Sequence, residues 1–373
     1  MLIEKIFTTR LSHEPRSMHL KHLTLEAFRN YSALELDLGA QVTALVGFNA
    51  QGKTNLLESI AFLALGKSFR AAKSIETLQW DRPHGRIQGI VEEEGKEIEL
   101  EVFFQRSPEL KKVKLGSKVV TPKNYLGHLR VVLFTPDQLD LVSGSPSQRR
   151  QFLDRLLMQL NAGYVECFGQ YQKILEHRNA LLKQINLGRT DSWELDLWDA
   201  RLVEEAEKIW KKRHAFMDFL SARLTKDYQC IAKNKDELEI HYETHQSDFD
   251  QRLIAHRDLD LRMGSTSVGP HRDDFALILN KKSLKEMGSR GECRSAVLTL
   301  KRAELEYIHE TTGEKPLLLL DDVFSELDEH RQASLGDLLQ EYQTIITTTS
   351  KSHLKDIKDL KIYSVEGGRL TEV

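Results

Sequence analysis

Eight consecutive residues constrain this chain more than any others: Gly47-Phe48-Asn49-Ala50-Gln51-Gly52-Lys53-Thr54. An apolar run precedes them, Val42-Thr43-Ala44-Leu45-Val46, and a helical pattern follows over residues 55–63. Strand, glycine-bounded loop, Gly-Lys-Thr and helix are together the context that a phosphate-binding loop requires. Glycines let successive backbone N–H groups turn inward toward phosphate oxygens at the positive end of a helix. Lys53 is then placed for the β- and γ-phosphates and the Thr54 hydroxyl for Mg²⁺. The expectation is a nucleoside-triphosphate site formed by Gly47 to Thr54, with Mg²⁺ beside the phosphates.

Composition narrows the class. With 373 residues, 40% apolar and 29% charged, the chain has the make-up of a globular protein of two or three units. No apolar run reaches membrane-spanning length, and the first seventeen residues lack a signal-peptide core. Three scattered cysteines, Cys167, Cys230 and Cys293, form neither a metal spacing nor an even disulfide set, which points to the reducing cytoplasm. A net charge of -3 means that any contact with DNA must come from a local basic patch.

Two alternating strands are expected over residues 19–38, turning at Phe28-Arg29-Asn30-Tyr31-Ser32. Turn signals about every ten residues over 85–133 predict an antiparallel meander. Ser145-Pro146-Ser147-Gln148 reads as a capping box opening a helix. Helices are predicted to follow over 164–185 and from about 192 to 231, with a strand over 237–242. Near the end, Leu317-Leu318-Leu319-Leu320-Asp321-Asp322 reads as a buried parallel strand closed by two acids, the Walker B pattern. Another strand is expected over 344–349. Asp321 is assigned to Mg²⁺ through its coordinated water, and Asp322 to polarising the attacking water. The long interval between Lys53 and Asp321 requires a large inserted lobe. The expected fold is therefore α/β: a P-loop head with an antiparallel β subdomain and an inserted helical arm. Its divisions are an N-terminal extension (1–17), the first half of the head (18–137), the arm (138–264) and the second half of the head (265–373).

Gly288-Ser289-Arg290-Gly291-Glu292 opens a further helix, again with a capping box from Ser289 to Glu292. Shortly before a Walker B acid, it resembles the signature motif of ABC ATPases, and Ser325-Glu326-Leu327-Asp328 matches their D-loop. In that class the signature helix closes on the γ-phosphate held by a second subunit. Phe28-Arg29-Asn30-Tyr31, Gly66-Lys67-Ser68-Phe69-Arg70, Phe134-Thr135-Pro136-Asp137-Gln138-Leu139, His177-Arg178-Asn179-Ala180-Leu181-Leu182-Lys183, Gly269-Pro270-His271-Arg272-Asp273-Asp274 and Leu320-Asp321-Asp322-Val323-Phe324 narrow the likeness. Together they resemble the RecF family, bacterial recombination mediators with an SMC-like ABC head and no long coiled coil.

That resemblance implies ATP-dependent homodimerisation, binding to duplex DNA at single-strand gaps and junctions, and cooperation with RecR and RecO in loading RecA. It also implies support of replication restart and the SOS response, and weak ATP hydrolysis that ends the DNA-bound state. It places Ser289 and Gly291 on the nucleotide of the opposite subunit, and Lys53, Asp321 and Asp322 at the reacting phosphate. Two departures stand out. Glu292 occupies the usual place of Gln, and no switch histidine is recognised after Ile345-Ile346, where Thr347-Thr348-Thr349 stand. Feeble hydrolysis is therefore expected.

Some residues admit two readings. Gln138 is either a Q-loop residue or a solvated loop glutamine, and Arg70 either contacts the nucleotide or packs. His271, Arg272, Asp273 and Asp274 suggest a metal site, but a polar network bracing two lobes accounts for them better. Lys111, Lys112 and Lys114, with Arg149, Arg150 and Lys211-Lys212-Arg213, are phosphate contacts or solvated faces. Two other functions share the motifs. The ATPase subunit of an ABC transporter sits poorly with the large helical insertion and the degenerate signature. A nuclease-linked ATPase of the overcoming-lysogenisation type is expected to need an additional acidic metal domain.

Overall fold

The computed structural model describes residues 16–373 apart from 40, 94, 355 and 356. The expected N-terminal extension lies outside the described residues except at its end. There β1 (Arg16–Ser17) pairs in parallel with β13 (Glu314–Lys315), so backbone pairing begins slightly earlier than expected.

The first half of the head opens with β2 (His19–Phe28), β3 (Tyr31–Asp37), β4 (Val42–Val46) and α1 (Lys53–Leu65). Then come β5 (His84–Glu93), β6 (Lys96–Gln105), β7 (Leu110–Leu115), β8 (Lys118–Val120), α2 (Pro122–Tyr125) and β9 (Val131–Phe134). The arm comprises α3 (Asp140–Ser143), α4 (Pro146–Leu160), α5 (Ala162–Asn186), α6 (Glu194–Ser221), α7 (Leu224–Ala232), β10 (Leu238–Glu243), α8 (Phe249–Ala255) and α9 (Arg257–Met263). The chain returns through β11 (Asp274–Leu279), β12 (Lys282–Ser283), α10 (Leu284–Met287), α11 (Arg290–Thr312) and β14 (Leu317–Asp321). It ends with α12 (Glu329–Glu341), β15 (Thr344–Thr348), β16 (Leu360–Glu366) and β17 (Arg369–Glu372).

One six-stranded sheet has the order β17-β16-β4-β15-β14-β9 and is parallel throughout except at β17. Strands β4, β15 and β14 are buried along their whole length because both faces are covered, which is why they read as largely apolar runs. Side chains alternate between the two faces. Leu318, Leu320 and Ile346 enter the core shared with the arm, whereas Leu317, Leu319 and Ile345 enter a second core. That second core lies between this sheet and an antiparallel sheet of order β3-β2-β5-β6-β7-β8, with α1 sandwiched between and buried nearly all round.

Three expectations change. The meander expected over 85–133 stops short of its end, because β9 leaves it and pairs in parallel with β14, Val132 opposite Leu318. A short apolar run suits a parallel core strand equally well, and periodicity does not separate the two. The helix predicted over 192–231 is broken between α6 and α7. Arg223 stands at the break, pairs with Glu306 and Glu310 of α11 and covers the Phe219 ring at 3.8 Å, so α7 turns to pack along α11. The boundary at 264/265 does not divide the backbone, since β10 of the arm pairs along its whole length with β11 beyond it.

The Gly269–Asp274 stretch proves to be a brace. Asp273 Oδ2 accepts from Trp210 Nε1 (2.8 Å), Arg213 Nη1 (2.7 Å) and the Tyr242 hydroxyl (2.5 Å). Arg149 grips Asp274 with two nitrogens at 2.6 and 2.8 Å, and Arg178 on α5 reaches Asp199 and Asp260. These pairs satisfy charges that burial would otherwise penalise. No group of three or more His, Cys, Asp or Glu among the described residues is arranged to hold a metal ion.

Candidate nucleotide site

The parallel register builds the site. Asp321 lies opposite Thr347, and Thr347 and Thr348 lie opposite Leu45 and Val46, so the carboxyl ends of β14, β15 and β4 meet at one edge. Open parallel sheets bind their ligands at such an edge. The loop 47–52 leaves β4 there and enters α1.

The loop has a fixed path. A Cβ on Gly47 would stand 2.4 Å from the Val365 carbonyl oxygen, and Gly52, with φ +112°, would drive a Cβ to 2.4 Å from Asn30 Nδ2. Asn30 Nδ2 donates to the Gln51 carbonyl (3.2 Å), its Oδ1 accepts from Asn55 (2.9 Å), and the Tyr31 hydroxyl donates to the Gly52 carbonyl (3.0 Å). From the C-terminal hairpin, Gly367 N donates to Gln51 Oε1 at 2.7 Å and Gly368 N to the Gln51 carbonyl at 3.1 Å. Asn30, Tyr31 and the Gly367-Gly368 turn are supports that motif spacing did not identify. The Asn30-Tyr31 motif was visible only as part of a family likeness, and the hairpin turn carried no signal. Phe48, Asn49 and Ala50 form the exposed crest, with Phe48 84% exposed.

Lys53 Nζ donates to the carbonyls of Gly47 (2.7 Å) and Phe48 (2.8 Å). Burial pulls its pKa down, against the attraction of Asp322 and Asp321. Thr54 Oγ1 donates to Asp321 Oδ1 at 2.8 Å, and Thr347 Oγ1 donates to the same oxygen at 2.6 Å. Asp322 adopts φ 49°, and its N–H donates to the carbonyl (3.1 Å) and the hydroxyl (2.9 Å) of Thr347. Burial raises the Asp322 pKa, with Lys53 opposing, and Asp322 Oδ1 is buried with no hydrogen-bond partner. A buried carboxylate oxygen left unpaired is costly and marks a place where a ligand or water completes the bonding. The donors fit Mg²⁺: Thr54 and Asp321 offer hard oxygens side by side. A Mg²⁺ held largely by substrate phosphates and water needs only one or two protein oxygens.

A histidine does follow the expected switch strand, contrary to the sequence reading. A short 3₁₀ turn over Lys351–Leu354 brings His353 Nδ1 to 3.0 Å from Thr348 Oγ1 and stacks its ring on Phe324. A positive charge on this ring would lower the pKa of Asp322. Gln138 sends Nε2 to the Leu133 carbonyl at 2.6 Å and leaves Oε1 buried without a partner. Arg70, which is exposed, donates to Asn55 Oδ1 (3.0 Å) and lies 3.5 Å from Glu58, which is buried and held at 3.0 and 2.7 Å by Arg29.

Ser289 and Gly291 stand on another element. Ser289 Oγ accepts from Glu292 N (3.3 Å), Glu292 Oε2 accepts from Ser289 N (2.7 Å), and the serine is exposed at the start of α11. Arg331 of α12, which motif reading missed, donates to the Gly291 carbonyl at 2.8 Å and pairs with Asp328. It thereby ties the signature turn to the D-loop. The structure thus gathers Lys53, Thr54, Asp321 and Asp322 at one point and leaves Ser289 and Gly291 on a separate exposed turn.

The family described as "RecF/RecN/SMC N terminal domain" matches residues 19–371. The chain is 40% identical to the DNA replication and repair protein RecF of Halalkalibacterium halodurans, over 95% of this chain and 99% of that protein. It is 39% identical to the RecF of Lactococcus lactis with the same coverage. The solved structure of the recombination mediator protein RecF-ATPrS in the RecFOR pathway superposes with a TM-score of 0.89 at 33% identity, covering 97% of this chain and all of that one. An Smc head bound to the C-winged helix domain of ScpA superposes at 0.56 with 14% identity, a likeness of fold alone.

Proposed function

The chain belongs to the RecF family of SMC-like, ABC-type ATPases, and from that premise we propose that it is an ATP-gated DNA-binding recombination and repair mediator. One observation carries the nucleotide part: sheet register unites Lys53, Thr54 and Asp321 beneath the glycine loop, with the orphaned Asp322 oxygen beside them. Gly47 to Gly52 cradle the phosphates of ATP, Lys53 neutralises them, and Thr54 and Asp321 hold Mg²⁺, the latter through water. Asp322 polarises the water that hydrolyses ATP slowly.

With nucleotide bound, two copies close face to face, so that Ser289 and Gly291 of each cover the ATP of the other. The closed dimer holds duplex DNA at single-strand gaps and junctions and, with RecR and RecO, helps to load RecA, which supports replication restart and the SOS response. Its place of action is the cytoplasm. No helix among the described residues is long and apolar enough to cross a membrane. The large arm braced by Arg178, Arg213 and Asp273 also favours a DNA clamp over a transporter subunit.

Retention of labelled duplex DNA on a filter tests the reading. DNA is expected to be held with ATP and a slowly hydrolysed analogue, and released without nucleotide. Equal retention in both conditions would overturn the proposal.

A further inference from the structure

A groove of 670 Å³ lies where the antiparallel sheet meets the arm. Its floor is apolar, formed by Val120 of β8, Leu126 after α2, Met158 of α4 and Phe168 of α5. Lys67, Lys111, Lys112, Lys123 and Lys173 stand around it, and Glu166 is its one carboxylate. Lys123 already holds Glu166 at 2.5 Å. Lys67, Lys112 and Lys173 form no ion pair among the described residues, and Lys111 donates only to the Gly66 carbonyl at 2.8 Å. Burial lowers the pKa of Lys67 and of Lys111, and in Lys111 repulsion from Lys67 adds to it. Five lysines thus share one carboxylate in the lining of the groove.

Beside the groove, β8 ends its sheet. It pairs with β7 on one side and with no described strand on the other, and Val119 is 58% exposed. An open edge offers unpaired N–H and C=O groups to an incoming extended segment. The rim demands negative charge, the floor demands apolar side chains, and the edge demands an extended backbone.

We propose that this groove is a docking site for an acidic, extended peptide segment of a partner protein, which adds along β8, seats bulky apolar side chains on the Val120–Phe168 floor and meets the lysine rim with its carboxylates. Duplex DNA, with its bases stacked inside, satisfies the rim but has no bulky apolar side chain to seat on the apolar floor, so the floor decides for peptide. Complementary charge sets orientation and speeds encounter, while the buried anchors supply the holding energy.

Fluorescence anisotropy on the full chain tests this with a labelled short peptide that alternates Asp or Glu with Leu or Phe. Saturable binding is expected, and Lys112→Glu with Lys173→Glu should weaken it about tenfold, a loss of about 1.4 kcal/mol. Val119→Asp should weaken it comparably, by setting a carboxylate against the incoming acids. A peptide with Ala at every apolar position should lose binding to the same extent, and unlabelled duplex DNA should not displace the original. Melting temperature and ATP affinity by calorimetry serve as controls on the variants. No saturable binding at millimolar peptide would overturn the proposal, as would equal affinity for the Ala peptide. Displacement by duplex, with the lysine variants losing DNA and peptide alike, would make the groove a nucleic-acid surface instead.

Discussion

At the nucleotide site, burial opposes the charge on Asp322. Its Oδ1 is buried without a partner, and burial holds its carboxyl above the usual carboxylate range despite Lys53. The ionised form is the one that polarises water, so turnover is expected to rise with pH along an acid limb displaced upward from ordinary aspartate. Asp322→Asn keeps the shape but removes that limb. It should retain MgATP and lower the rate about a hundredfold or more, the usual range for a lost general base. Parent-like turnover in Asp322→Asn would move the role to another acid. Lys53 makes a complementary prediction. Its ammonium is spent on two loop carbonyls and is the cation positioned within the glycine loop. Lys53→Met should weaken MgATP about a hundredfold or more in calorimetry, as expected for loss of charge-assisted bonds to phosphate. Unchanged affinity would remove the P-loop assignment.

The braces between elements make their own predictions. His271 sits between Tyr171 of α5 and the Thr266 carbonyl, with Nδ1 2.6 Å from the tyrosine hydroxyl and Nε2 3.0 Å from the carbonyl. Burial depresses its pKa from 6.5 to about 4. The unfolded chain takes up a proton on this imidazole near pH 6.5, whereas the folded chain resists until about 4. The stabilisation is therefore complete above pH 6.5 and is lost as pH falls toward 4, by about 3 kcal/mol in all. Urea unfolding at several pH values should show this slope in the parent and a shallower one in His271→Gln; identical slopes would refute it. Elements of this kind were only partly legible. The Gly269–Asp274 motif announced a polar network, yet nothing in it named Trp210 or Tyr242 as partners of Asp273. The four residues of β9 read equally well as part of the meander, because their partner strand β14 is remote in sequence.

For the whole molecule the decisive question is self-association. Ser289 caps its own helix at an exposed turn tied to the D-loop by Arg331, while Lys53 is buried in the loop at the sheet edge. In the proposed dimer the two serve one ATP from different chains. Sedimentation velocity should show a monomer without nucleotide and a two-fold dimer with a slowly hydrolysed analogue. Ser289→Arg should bind ATP as the parent does yet remain monomeric, since bulk and charge then stand at the seam. A Ser289→Arg protein that still dimerises with nucleotide would sink the arrangement.

Contiguous chemistry was written in the residue order. Strand, glycine loop, Lys53-Thr54 and helix follow one another, and so do the Leu317–Asp321 strand and Asp322, because each needs only local backbone geometry and a buried apolar run. Packing decided what joins them. Thr54 and Asp321 lie 267 positions apart and meet only because β4, β15 and β14 take adjacent parallel places in one sheet. The same holds for Asn30 and Gly368 against Gln51, for Arg331 against Gly291, and for His353, which a single 3₁₀ turn carries back to Thr348. Side-chain periodicity records which face of an element is buried but not which neighbour buries it.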